Sequence, residues 1–117
     1  MAKKVLVITD AQNEFITGAL GNKECEAAVK NIVAVAESGE YYKVIITKDT
    51  HTADYLDTQE GKRLPILHGQ EGTAGYEIHP DIVKAAPISA GKWFVIRKIY
   101  YFCNYLCIMI TRYEPIR

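Results

Sequence analysis

An aspartate and two histidines in the middle of the chain have the residue types of a metal site. Asp49 and His51 follow the apolar residues 44–46, and His68 follows in a glycine-rich segment. Side chains alternate in an extended segment, so Asp49 and His51 point to the same side. A His/His/carboxylate set suits Zn²⁺ or another first-row ion, with positions left open for water or substrate. The alternative from spacing alone is a turn-capping Asp49 with two solvated surface histidines.

Two further residues with possible chemistry follow other apolar runs. Asp10 comes after residues 5–8, and Lys98 comes after residues 93–96. Asp10 is either a turn residue or a phosphorylated or Mg²⁺-binding aspartate, although Gln12 stands where a second carboxylate would help. Lys98 is an ordinary surface lysine unless it lies near Asp10, where the ion pair would set the protonation of a site.

Three apolar runs predict the strands that position these residues. Residues 5–8, 42–47 and 93–96 are short and show no alternation, which is typical of strands buried on both faces of a parallel sheet. Ligand sites in such sheets form outside the carboxyl ends of the strands. The candidate residues all follow these strands, so we expect them to meet at one edge of the sheet.

Helices are predicted between the strands. Apolar residues at helical spacing, with Asn22 as N-cap and Gly39 as stop, indicate a helix of about four to five turns. A shorter helix is predicted from Pro80 to about Ala86. Residues 52–75 show little periodicity, and a long segment of this kind in a compact domain is usually functional or disordered. Its leucines and Pro65 favour an ordered loop.

Composition and charge exclude several classes of function. The 117 residues fit one domain, and 14 Lys+Arg balance 14 Asp+Glu, so no surface for nucleic acid or anionic membrane is expected. No apolar run is long enough to span a bilayer, and no signal segment is visible. The three cysteines give no disulfide framework and suit a reducing compartment. We expect a cytoplasmic protein.

Aromatic residues and glycines surround the candidate ligands. Phe15, Tyr76 and Trp93 could form the walls of an aromatic pocket, although each alone is more often a core residue. The glycines of residues 69–75 are turn glycines. Their spacing matches neither a P-loop nor a dinucleotide fingerprint.

Several motifs stand in a recognisable order along residues 4–98. Residues 10–15 read DAQNEF, residues 47–51 read TKDTH, and residues 55–75 form a long loop that contains a histidine. They resemble the D-x-Q-N-D-F opening, the T-x-D-x-H metal strand and the ligand-bearing loop of the nicotinamidase/isochorismatase family of cysteine hydrolases. Glu14 stands where that family usually has aspartate. The resemblance implies a three-layer α/β/α fold with a parallel sheet.

The resemblance also implies a metal site and a substrate pocket. Asp49, His51 and His68 match the family's metal ligands, which would bind a divalent ion, Zn with Fe or Mn as alternatives. Phe15 and Tyr76 would lie in the pocket of a small carboxamide substrate such as nicotinamide.

The family's catalytic triad consists of aspartate, lysine and cysteine. Asp10 matches the aspartate, and Lys98 matches the lysine, with Lys92 as the fallback. The family mechanism implies that the aspartate takes the thiol proton and the thiolate attacks the carboxamide carbon. Ammonia then leaves and an acyl-enzyme remains. The lysine helps to keep the thiol ionised.

The end of the chain departs from the family. Residues 99–117 do not resemble the family's strand-to-helix turn with the nucleophile, and Cys103 and Cys107 follow Lys98 too closely to replace it. We therefore expect residues 1–98 to be the first part of a hydrolase domain, residues 99–117 to be a divergent tail, and no nucleophilic cysteine to be present.

Three hypotheses follow from this departure. The chain is an amidohydrolase that needs another chain or segment for its cysteine, or a catalytically dead metal- or ligand-binding fragment, or an unrelated flavodoxin-like or receiver-like module that uses Asp10. A relative that hydrolyses another small substrate is a variant of the first. The absence of the family's last strands would leave a sheet edge exposed, so we also expect self-association.

Overall fold

The structure, a computed structural model, describes residues 3–85, 93–99 and 113–115. Four strands form one sheet in the order β1-β2-β3-β4, namely β1 (Val5–Thr9), β2 (Lys43–Thr50), β3 (Trp93–Ile99) and β4 (Tyr113–Pro115). β2 is parallel to both β1 and β3, while β4 is antiparallel to β3. The three predicted strands and the α/β fold class with a parallel sheet are confirmed.

The helices include both predicted ones and two that were not predicted. They are α1 (Asn13–Ile16), α2 (Lys23–Glu37), α3 (Gln59–Arg63) and α4 (Pro80–Ala85), with a 3-10 turn at Tyr55–Asp57. The side chain of Asn22 accepts a hydrogen bond from the N–H of Cys25 at 2.8 Å, which confirms it as the N-cap of α2. None of the helices in the described ranges is long and apolar enough to cross a membrane.

The short helices α1 and α3 lie where loops were predicted. Neither segment has apolar residues at helical spacing, so periodicity gave no signal. Local hydrogen bonds define α3 instead: the Thr58 side chain accepts from the N–H of Gly61 at 3.0 Å, as an N-cap does. The segment of residues 52–75 thus contains α3 and the 3-10 turn.

The core lies between one face of the sheet and the helices α2 and α4. Its buried members are Ile8, Ala11, Ile16, Val29, Ala36, Val44, Ile46, Ile78, Ile82 and Ala85. The prediction that β1 is buried on both faces is wrong, because Val5 is 48% and Val7 54% exposed. β1 is the first strand in the sheet order, and its side chains alternate between the helix-covered face and an open one.

Candidate metal and catalytic site

Three parallel strands end at the same edge of the sheet and bring the predicted residues together there. Thr9 pairs with Thr47, and the backbone of Lys98 pairs with that of Asp49. Asp10 follows β1 directly, and its N–H donates to the carbonyl and to the hydroxyl of Thr47, each at 3.1 Å. Asp10 and the backbone position of Lys98 therefore lie next to β2, one on each side of it, as the strand order predicted. Lys92, Cys103 and Cys107 lie outside the described residues.

Asp49, His51 and His68 form a compact buried cluster. Asp49 Oδ2 lies 3.0 Å from His51 Nε2 and 3.4 Å from His68 Nε2. One candidate ligand atom from each residue lies within 4.8 Å of the others, and the residues are only 6%, 9% and 5% exposed. Ligand atoms this close together are within reach of one cation, since Zn–N and Zn–O bonds are roughly 2 Å long.

The second oxygen of Asp49 supplies a direct test of whether the cluster fits a metal. Asp49 Oδ1 is buried and has no hydrogen-bond partner within the described part of the chain. A buried acceptor without a partner is unfavourable by about 1–3 kcal/mol. A cation bound at the cluster would remove this penalty. The donor set, two imidazoles and one carboxylate, is also one that divalent zinc prefers, so the residues present fit such an ion.

His68 is oriented for this role by the backbone. Its Nδ1–H donates to the carbonyl of Ile66 at 2.6 Å. This hydrogen bond occupies Nδ1 and leaves Nε2, the nitrogen that faces Asp49, as the atom for a metal, which is a common arrangement of metal-binding histidines.

The ring of His51 carries a raised pKa. Burial alone would lower the pKa, but the hydrogen bond from His51 Nε2 to Asp49 and the charges of Asp49, Glu60 and Glu14 outweigh it. Glu60 Oε1 lies 4.0 Å from His51 Nε2. A metal at this site would compete with a proton for His51.

Asp10 adopts an unusual backbone conformation. Its φ of 52° lies in the left-handed region, which asparagine and aspartate tolerate better than most residues. The Thr47 hydroxyl donates to Asp10 Oδ1 at 2.6 Å and fixes that carboxylate. Backbone strain of this kind, about 1–3 kcal/mol, is typical of functional sites.

Three residues that contact the candidate site residues were not predicted from the sequence. The ring of Tyr55 lies 4.5 Å from that of His51 and 4.8 Å from that of His68, and its hydroxyl donates to the Leu64 carbonyl at 3.0 Å. Burial raises the pKa of Tyr55. Thr47 and Gln12 are the other two, and both lie inside the motifs quoted above. Their motif positions were the available signal. Tyr55 is the first residue of the quoted loop of residues 55–75, but its spacing from the histidines gave no sign of these contacts.

Phe15 lies beside the cluster of Asp49, His51 and His68. It is half-buried, and its ring meets that of His68 edge-on at a centroid distance of 5.7 Å. The structure therefore brings Phe15 next to one of the candidate ligands.

Tyr76 lies elsewhere. It is 4% exposed, its hydroxyl is 2.9 Å from the Thr50 hydroxyl, and Lys48 Nζ lies 3.8 Å from the centre of its ring. Lys48 and Thr50 alternate along β2 with Asp49, so they face the opposite side of the sheet. The structure thus buries Tyr76 on the helix-covered side of the sheet and does not bring it to the cluster of Asp49, His51 and His68.

A pocket of about 590 Å³ opens beside His68. It is lined by α1 with the residues after it and by residues 67–75 of the loop, and it includes Glu14, Leu20 and His68. Its size falls within the range of small-molecule sites. Phe15 and Tyr76 are not among the residues that line it.

The sequence matches the family model of the isochorismatase domain over residues 4–103. This is most of the chain, and the chain therefore belongs to the isochorismatase-domain family, as its motifs predicted. Known members with this fold include amidases, so the family is one of hydrolases. No curated protein sequence matches the chain significantly.

Solved structures with the same fold extend the comparison. Nicotinamidase/pyrazinamidase from Bacillus subtilis has a TM-score of 0.69 and 26% identity, over 86% of this chain and 58% of that one. N-carbamoylsarcosine amidase from Thermoplasma acidophilum has a TM-score of 0.62 and 25% identity, over 89% and 56%. Pyrazinamidase of Pyrococcus horikoshii, solved in complex with zinc, has a TM-score of 0.61 and 20% identity, over 84% and 52%, and supports the fold alone. This chain therefore spans between half and three fifths of these relatives.

Proposed function

We propose that this chain carries the metal-binding and substrate-orienting half of a hydrolase site of the nicotinamidase type. The observation that supports this most strongly is the buried cluster of Asp49, His51 and His68, in which one carboxylate oxygen of Asp49 has no partner among the described residues. The reaction is hydrolysis of a small carboxamide, such as nicotinamide, to its acid and ammonia.

Each residue of the half-site has a proposed task. Asp49, His51 and His68 hold a divalent cation, Zn with Fe or Mn as alternatives. The bound cation would supply a Lewis-acidic centre that orients the substrate. Asp10, held by Thr47, accepts the proton of a nucleophilic thiol, and Lys98 favours the ionised thiol. Neighbouring strand ends supply these residues except His68, which lies in the loop between α3 and α4, and this supports a shared site.

The substrate class rests on similarity and on the size of the site. Two of the structural relatives are a nicotinamidase/pyrazinamidase and an N-carbamoylsarcosine amidase, so both act on small amide-type compounds. The pocket of about 590 Å³ beside His68 would accept a molecule of that size. Phe15 does not line that pocket, and its proposed contact with the substrate is at the ligand cluster, where its ring meets His68. The position of Tyr76 argues against such a role. A different small substrate of an isochorismatase-like hydrolase is the alternative.

A second candidate function is metal or ligand binding without turnover. It is favoured by the sequence, in which no cysteine lies in a segment that resembles the family's strand-to-helix turn with the nucleophile. Cys25 lies in the first turn of α2 rather than at a strand end. On this basis we propose that the chain alone does not turn over an amide and that another chain or segment would supply the thiol.

Zinc analysis and ammonia release separate these functions. Equilibrium dialysis of the purified chain should give one zinc per chain, and the triple variant Asp49→Asn, His51→Ala, His68→Ala should give none. Ammonia release from nicotinamide by the zinc-loaded chain should be absent. Zinc retained by the triple variant would overturn the proposed site, and turnover abolished by Cys103→Ala or Cys107→Ala would show that the tail supplies the nucleophile.

Self-association through β1 is proposed as the chain's interaction with itself. Val5 and Val7 are exposed on β1, and within the described residues β1 pairs with β2 on one side only. A strand edge with apolar side chains is a template for pairing with another chain.

We also propose a cytoplasmic location, which the cysteine content suggests.

A further inference from the structure

A buried carboxylate, that of Glu14, lies beside the cluster of Asp49, His51 and His68 without belonging to it. The backbone of Glu14 is fixed at both ends: its N–H donates to the Gly75 carbonyl at 2.9 Å, and its own carbonyl accepts from the N–H of Leu20 at 3.0 Å. Burial raises the pKa of its carboxyl, partly offset by a backbone hydrogen bond from Gly69 and by the charge of His68. Because burying a carboxylate is unfavourable, the hydrogen-bond partner of the Glu14 carboxylate indicates what this side chain does.

That partner is the peptide that follows His68. Glu14 Oε1 accepts a hydrogen bond from the N–H of Gly69 at 2.8 Å. The carbonyl of Gly69 accepts in turn from the N–H of His51, also at 2.8 Å. One residue therefore ties the loop of His68 to Glu14 on one side and to the metal strand on the other.

The space around Gly69 makes this connection stiff. Its φ is +67°, and a Cβ there would come within 2.8 Å of His51 Cδ2 and 3.0 Å of His51 N. The backbone at Gly69 thus lies directly against His51, and glycine is the residue that permits both the conformation and the approach. A shift of the Gly69 N–H would displace His68 from Asp49 and His51.

We propose that Glu14 is a positioning residue, which holds His68 at ligand distance from Asp49 and His51 through the N–H of Gly69. This rests on the proposed metal site. Side-chain length is part of the inference: an aspartate, which the family's opening motif usually has here, would fall short of Gly69 by about one C–C bond, roughly 1.5 Å. Glutamine would keep both the length and the acceptor oxygen.

The test is a Co²⁺ titration of the full chain, followed by visible absorption, for wild type and three variants. Glu14→Gln keeps the hydrogen bond and should bind Co²⁺ with close to wild-type affinity and spectrum. Glu14→Ala and Glu14→Asp lose it and should bind about 10-fold to 100-fold more weakly, which is the range for residues that orient metal ligands. Their absorption bands should also change, because His68 is misplaced.

Asn22→Ala is the control for a merely structural effect. It removes the N-cap of α2 and lowers stability without touching the loop of His68, so its Co²⁺ affinity and spectrum should match those of wild type. If Glu14→Ala does not fold, the comparison of Glu14→Asp with Glu14→Gln decides the question alone.

Three results would overturn the inference. Wild-type binding by both Glu14→Ala and Glu14→Asp would refute the positioning role and leave the proposed metal site intact. An equal loss in Glu14→Gln would assign the effect to charge rather than to the hydrogen bond. Failure of the wild-type chain to bind Co²⁺ would overturn the proposed metal site together with this inference.

Discussion

The side-chain amide of Gln12 holds the backbone of Asp49 on both sides. Gln12 Oε1 accepts from the N–H of Asp49 at 2.7 Å, and Gln12 Nε2 donates to the Asp49 carbonyl at 3.0 Å and to the Tyr76 carbonyl at 3.0 Å. Gln12 is completely buried. The loop after β1 is thus hydrogen-bonded to β2, which carries Asp49 and leads directly into His51.

Gln12→Met should therefore destabilise the chain strongly. It keeps the approximate volume but leaves three buried backbone groups without a partner, which should lower the free energy of unfolding by about 3 kcal/mol or more. Urea unfolding followed by circular dichroism measures the change. Gln59→Met, the same change at an exposed position in α3, is the matched control and should be within about 0.5 kcal/mol of wild type. Equal midpoints for the two variants would contradict a structural role of the Gln12 amide.

The hydrogen bond between Thr47 and Asp10 should contribute measurably to stability. Thr47→Val removes the hydroxyl that donates to the Asp10 carboxylate and should lower the free energy of unfolding by about 1.5–3 kcal/mol, as for hydrogen bonds to charged groups. Thr47→Ser retains the hydroxyl and should recover most of that loss. A Thr47→Val chain as stable as the serine variant would show that the bond has little weight in solution.

The raised pKa of His51 predicts opposite pH trends for folding and for metal binding. The metal-free chain should lose stability as the pH rises from about 6.5, the ordinary histidine pKa, through the raised pKa of folded His51. Zinc affinity should rise over the same interval, because the proton leaves the ligand nitrogen. Thermal melts and zinc titrations across this window measure both trends.

Two variants separate the contribution of His51 from that of other histidines. His51→Gln should flatten the pH dependence of stability in the metal-free chain. His79→Asn changes the histidine at the start of α4 and should leave that dependence in place. A metal-free chain whose stability rises with pH over this window would have the wrong sign for a raised pKa at His51.

Self-association should depend on the exposed valines of β1. Val7→Lys places a charge on the open face of the strand and should shift the chain towards monomer in sedimentation velocity, because charged side chains discourage edge pairing. Val35→Lys, the same change at another exposed valine, on α2, should leave the association state unchanged. A strictly monomeric wild-type chain, or equal effects of the two lysines, would refute association through β1.

Regular patterns allowed most of the fold to be predicted. The apolar periodicity after Asn22 predicted α2 because one helical face packs against the sheet, and the apolar runs predicted three strands because parallel strands are rich in β-branched residues. The exposed face of β1 was not predicted. An apolar run indicates which side chains a strand can bury. Whether another element covers each face of that strand depends on other parts of the molecule.

The candidate ligands could be found from residue type and order, but the residues that hold them could not. Asp49 and His51 share a strand face by simple alternation. Tyr55 and the buried amide of Gln12 act through contacts across the fold, which spacing does not encode. The family resemblance implies a pocket position for Tyr76, whereas its hydroxyl meets Thr50 on the other face of β2.

A Co²⁺ titration of wild type, Asp49→Asn and Asp57→Asn tests the central claim most directly. Asp49→Asn preserves shape but removes the carboxylate shared by both histidines, while Asp57→Asn makes the same change at an exposed aspartate. We predict one Co²⁺ per chain for wild type and Asp57→Asn, and an affinity at least about 10-fold lower for Asp49→Asn. Equal affinity for all three chains, or no Co²⁺ bound by wild type, would contradict a metal site at Asp49, His51 and His68.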